Sequence, residues 1–228
     1  MPQRQADLSA KVGREVQQLR QLALRMAGLA EAILDKSLRS AWTRDGALAG
    51  DVTADDLEID RLEIEIDQSV LNVLALQAPV ASDLRQVLAI KTMANDLERV
   101  GDLARNIAGC AQRLGERAPI DPPAMLRSLA QDCQRTLSRA IQAFADLDTE
   151  LARAVLAADD AIDATEDRVI RQAITQIHSE PSFSEQVIDL IFIAKSLERV
   201  ADHATNIAED VILAAESLNV KHEEKLAH

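Results

Sequence analysis

Apolar residues recur along this chain at three- and four-residue steps, the pattern of helices that bury one face. In the stretch 81–117 the seam runs through Ile90, Met93, Leu97, Val100, Ala104 and Ile107. In 47–77 it runs through Ile59, Leu62, Ile66 and Val73. Prolines punctuate the pattern. Apart from Pro2 they stand at Pro79, at Pro119, Pro122 and Pro123, and at Pro181. Each cluster marks a junction, because proline lacks an amide hydrogen and clashes with the preceding turn. Gly46 and Gly50 flank another break in "TRDGALAGD", and "DLDTE" around Asp148 marks the last. Six helices are predicted, over about 5–42, 47–77, 81–117, 123–146, 149–178 and 182–218. Asp121 is expected to cap a helix whose first residue is Pro122. Ser182 with Glu185 is expected to form a capping box.

The two halves correspond. "NDLERVGDLARNIAGC" aligns with "KSLERVADHATNIAED", placing Glu98 over Glu198, Asp102 over Asp202 and Asn106 over Asn206 at an offset of 100. Asp56, Asp60 and Glu63 match Asp159, Asp163 and Glu166 in spacing. Such self-similarity is the mark of a duplicated unit. The predicted architecture is all-α, two tandem three-helix bundles over 1–118 and 124–228 with a linker at 119–123.

Composition fits this picture. Hydrophobic residues are 47% of the chain but aromatics only 2%, so the core must be aliphatic and alanine-rich. That favours closely packed helices over a β-sandwich. Formal net charge is −13, which repels nucleic acid and anionic lipid and suits cations or basic partner surfaces. Cys110 and Cys133 make no disulfide framework, so reduced thiols in a cytoplasm are expected. The start shows no apolar stretch resembling a signal peptide. The greasiest run, "VIDLIFIAK", is too short to span a bilayer and is interrupted by Asp189. A soluble, cytoplasmic protein is expected.

Glu98, Asp102 and Asn106 follow a four-residue step and stack on one helix face, away from the apolar seam. Asp60 lies about 19 residues before Pro79 and Glu98 about 19 after, so an antiparallel hairpin holds them level; Asp56 and Asp102 are level one turn further on. Around Pro181 the same reasoning pairs Asp163 with Glu198 and Asp159 with Asp202. All these acids are read as surface or groove-lining. Two explanations stand side by side. One is a solvated face whose acids pair with Arg99, Arg105 and Arg199. The other is a pair of cation sites, since like charges at this spacing repel and hard oxygen ligands select magnesium, calcium, manganese, iron or zinc. Asn106 and Asn206 are candidate neutral ligands. His203 has Leu103 as its counterpart; it, His178, His222 and His228 read as surface imidazoles, and Trp42 as packing or interface. No Glu-x-x-His pair of a ferritin-like di-metal oxidase is present upstream of any histidine.

"LERVGDLARNIA" and "LERVADHATNIA", with "LQAPVASDLRQVLAIKTMANDLERVGD" around the first, resemble the PhoU family of phosphate-uptake regulators. The resemblance implies a cytoplasmic, non-enzymatic, usually dimeric protein that binds iron, manganese, zinc or magnesium through these motifs. It further implies restraint of the phosphate-starvation response, through the ATPase subunit of a phosphate-specific ABC transporter and a sensor histidine kinase, with the membrane reached only through partners. An accessory of another phosphate carrier is the alternative. The motif points to Glu98, Asp102, Glu198 and Asp202. The sequence departs from it at Ala201, where the first copy has Gly101, and "SEPSFSEQV" does not reproduce "APVASDLRQV".

Overall fold

The computed structural model describes residues 2–221, with side chains described from residue 11 onward; His222 and His228 lie outside them. The elements are α1 (Pro2–Thr43), α2 (Gly46–Gln77), α3 (Ala81–Glu116), α4 (Leu126–Asp146), α5 (Thr149–Leu156), α6 (Asp159–Ser179), a 3₁₀ turn (Pro181–Phe183) and α7 (Ser184–Glu216). No strand occurs among the described residues. No described helix is long and apolar enough to cross a membrane.

α1, α2 and α3 pack together as one bundle and α4 to α7 as the other, while α3 and α7 pack extensively on each other. Every seam residue named above on α2 and α3 is buried, in one aliphatic cluster continuous across both halves. Trp42 is partly buried against that cluster, and the Arg127 guanidinium lies 4.7 Å from its ring centroid. The periodicity therefore identified the inward faces correctly, because a helix two or three partners deep has no other way to bury its Leu, Ile and Val.

The boundaries differ in instructive ways. The fifth predicted helix is two, α5 and α6, broken at Ala157 and Ala158. Asp121 caps nothing: α4 starts at Leu126, and the Asp121 carbonyl instead accepts a hydrogen bond from Gln176 Nε2 at 3.1 Å. The Ser182–Glu185 capping box does not form, since Pro181 opens a 3₁₀ turn and the N-cap of α7 is Phe183, with no side-chain cap bond. Caps appear elsewhere. Asp45 Oδ1 accepts from the amides of Ala47 and Leu48, both at 3.0 Å, and Asp148 Oδ1 from Leu151 at 3.0 Å, satisfying amides that a helix start leaves orphaned.

Candidate functional site: two carboxylate clusters

The hairpin between α2 and α3 brings the first set together. Arg105 pairs with both Asp56 and Asp102, so one guanidinium bridges the two helices at that level. Glu98, one turn away, lies close enough to Asp102, Glu63 and Asp60 that their charges, after its own partial burial, push its proton affinity up. Arg99 approaches Glu98 at 3.3 Å and Asp102 at 3.1 Å, and Lys91 closes the lower end on Asp67 at 2.5 Å. Asn106 is exposed one turn beyond Asp102.

Asp56 corrects the reading of these acids as superficial: it is 2% exposed. The cause is Gly101. A Cβ there would stand 2.5 Å from Asp56 Oδ1, so only the bare backbone of α3 lets the carboxylate in. Burial raises the Asp56 pKa, Arg105 opposes that rise, and Asp60 and Asp102 add to it.

The second set is arranged similarly but balanced differently. Asp163 is raised by burial and by the charges of Asp202, Asp160 and Asp167, with Lys195 opposing. Glu198 is raised by burial, Asp202, Asp163 and Glu166, again against Lys195. Glu166 is itself buried and held by Lys195 at 3.0 Å. Thr205 stands where the first repeat has Arg105, so the guanidinium of that position is missing from the second repeat. Ala201 supplies the Cβ that Gly101 omits. Its matched acid, Asp159, is more exposed than Asp56 and forms the first residue of α6, where the helix dipole favours a negative charge.

Asn206 is used otherwise. Its Nδ2 donates to Asp96 Oδ1 at 3.2 Å, and His203 Nδ1 lies 2.8 Å from the same oxygen, a clasp between α7 and α3. The sequence carried no signal for this contact, because Asp96 and His203 have no repeat counterparts of similar chemistry. Nor did it reveal the role of Asp189, which receives Arg113 and Arg117 from the end of α3.

As cation sites the clusters fit in donor chemistry: carboxylate oxygens crowded enough that neighbouring charges raise the proton affinity of Asp56, Glu98, Asp163 and Glu198 are a ready receptor for positive charge. Among the described residues no three such groups already converge into a metal cage. One expectation concerns pH. Glu98 and Glu198 bind protons more tightly folded than at the ordinary 4.5, so the folded state holds more protons than the unfolded above that value. Stability then falls as pH rises through the raised pKa values and recovers on acidification toward 4.5. Metal-free protein should therefore gain in Tm as the buffer is taken from neutral pH down toward 4.5. The gain should shrink in Glu98→Gln plus Glu198→Gln; an identical pH slope in that variant would contradict the assignment.

The PhoU domain model matches residues 23–111 and again 126–211, one match per bundle. The chain is 32% identical to a phosphate-specific transport system accessory protein PhoU homolog of Pseudomonas aeruginosa, over 94% of this chain and 89% of that protein. A homolog of the same description from Zymomonas mobilis is 35% identical, covering 86% of this chain and 83% of its own length. The crystal structure of PhoU from Pseudomonas aeruginosa superposes with a TM-score of 0.88 at 32% identity, covering 90% of this chain and 99% of that one. That of the phosphate transport system regulatory protein PhoU from Streptococcus pneumoniae gives 0.85 at 25% identity, over 92% and 99%. These are accessory and regulatory proteins, not enzymes. On the doubled domain match and the breadth of these likenesses, the chain belongs to the PhoU family.

Proposed function

We propose that this chain is a metal-binding, cytoplasmic regulator of phosphate homeostasis that restrains the phosphate-starvation regulon. Its partners in this reading are the ATPase subunit of a phosphate-specific ABC transporter and a phosphate-sensing histidine kinase, and it works as a homodimer. The observation that carries the reading is the pair of carboxylate clusters at matched positions of two PhoU domains. Asp60, Glu98 and Asp102 would hold a cation on the first hairpin, with Asp56 behind them. Asp163, Glu198 and Asp202 would do so on the second. A bound hard cation supplies charge neutralisation, which turns a self-repelling acidic face into one that a partner can approach. Arg105 already performs part of that neutralisation in the first cluster, and Lys195 does so in the second.

The regulatory part is tested in cells. Deleting the gene should raise alkaline phosphatase activity at high phosphate, and the intact chain should restore repression while Glu98→Gln plus Asp102→Asn should not. Unchanged alkaline phosphatase and phosphate uptake after deletion would remove the regulatory reading.

A further inference from the structure

The first hairpin carries an apolar ridge that the second keeps only near its turn, where Ile174 and Ile188, matching Leu71 and Leu88, are also exposed. Leu57, Ile64 and Leu71 of α2 are 52, 59 and 65% exposed. Standing seven residues apart, nearly two turns, they form one line about 21 Å long on the solvent side of the helix. The buried seam of Ile59, Leu62, Ile66 and Val73 lies on the opposite side. Leu84 and Leu88 of α3 extend the apolar surface past the turn at Pro79. At the positions matching Leu57 and Ile64 the second repeat has Asp160 and Asp167, both exposed. The repeated unit therefore accepts a solvated acid at these two places, and Leu57 and Ile64 themselves stand mostly in solvent.

Beside the ridge, on the flank facing α3, run Asp60, Glu63 and Asp67, coupled to Glu98 and Lys91 across the hairpin. An apolar line bordered by an acidic one complements a helix whose apolar stripe is bordered by lysine or arginine. A second copy of this chain suits it less well, since a net charge of −13 and the acids along this face would bring like charges together.

We infer that the α2 ridge and its acidic flank form a docking surface for a basic amphipathic helix of a partner protein. The inference does not rest on metal occupancy of the clusters.

The test uses the full chain and a fluorescent helical peptide of leucine and lysine, about 18 residues long, long enough for a stable helix once seated. Anisotropy titration should show binding that Leu57→Asp plus Ile64→Asp weakens by at least about tenfold, or about 1.4 kcal/mol. The uncharged pair Leu57→Gln plus Ile64→Gln should weaken it in the same direction. Added acids strengthen a merely electrostatic attraction, so unchanged or tighter binding to the aspartate variant overturns the proposal. Equal binding of a peptide with glutamate in place of lysine also overturns it. So does sedimentation of the wild type as an oligomer that the aspartate pair dissolves, which would give the ridge to a second copy. Thermal melts of both variants should match the wild type, as the repeat positions occupied by Asp160 and Asp167 imply. Their manganese uptake should be unaltered, which keeps this test separate from that of the metal reading.

Discussion

Removing Arg113 and Arg117 together is expected to destabilise the folded chain by about 3–5 kcal/mol, the cost of leaving a buried carboxylate without its partners. Asp189 on α7 is 3% exposed. Its Oδ1 accepts from Arg113 Nη2 at 2.6 Å and Nε at 2.8 Å, and its Oδ2 from Arg117 Nη1 at 2.7 Å. Both arginines come from the end of α3 or the residue just after it, so this cluster fastens one repeat to the other. The two ends of the pair are not equivalent. Asp189→Ala leaves guanidinium groups that already reach solvent and can rehydrate, so it is expected to cost less, about 1.5–3 kcal/mol for lost charged hydrogen bonds. Urea midpoints at neutral pH for the two variants decide the matter. A double arginine variant within about 1 kcal/mol of wild type, or one more stable than Asp189→Ala, would mean that Asp189 finds other partners.

Gly101→Ala is expected to reverse the usual sign of its substitution class. In a helix interior, glycine to alanine ordinarily stabilises by about 0.5–1 kcal/mol. Here the new methyl meets Asp56 Oδ1 at 2.5 Å and Ile59 Cδ1 at 3.4 Å. Asp56 must then leave its buried position and its pairing with Arg105, for a net loss of about 1–3 kcal/mol by overpacking. Asp56→Ala should relieve the conflict, so the double variant should be more stable than the sum of the singles requires. At the matched place, Ala201→Gly removes no clash and should cost only the ordinary helix penalty, about 1 kcal/mol. Stabilisation by Gly101→Ala in equilibrium unfolding would show that the carboxylate is not wedged against α3.

These residues also show what the sequence disclosed. The inward faces were legible because Ile59, Leu97 and Ile107 repeat at helical spacing and helical bundles have one way to bury them. The hairpin levels were legible because Pro79 fixes the turn and the rise per residue fixes the height. Hence Glu98 and Asp60 were expected to meet, and in the structure the Asp60 charge acts on Glu98. Depth was not legible. Asp56 looks like its neighbours in the acidic stripe, and only the missing Cβ of a glycine 45 positions away admits it to the interior. The break in the fifth predicted helix was hidden for a different reason. Ala157 and Ala158 are strong helix formers, and Leu147 and Ser217 end helices in left-handed conformations without being glycine. α5 and α6 each pack on α7 on either side of the break. Contacts between repeats, such as Asp96 with His203 and Asn206, depend on how two bundles dock and leave no periodic trace.

The central claim, that both clusters are cation sites, is tested most directly by metal content. Chain purified without chelator and then exposed to manganese(II), with unbound ion removed, is analysed for manganese, iron, zinc and magnesium. Wild type should retain metal, Glu98→Gln plus Asp102→Asn should lose the first repeat's share, and Glu198→Gln plus Asp202→Asn the second's. Wild-type protein that retains no metal, or two variants that both retain the wild-type amount, would contradict it.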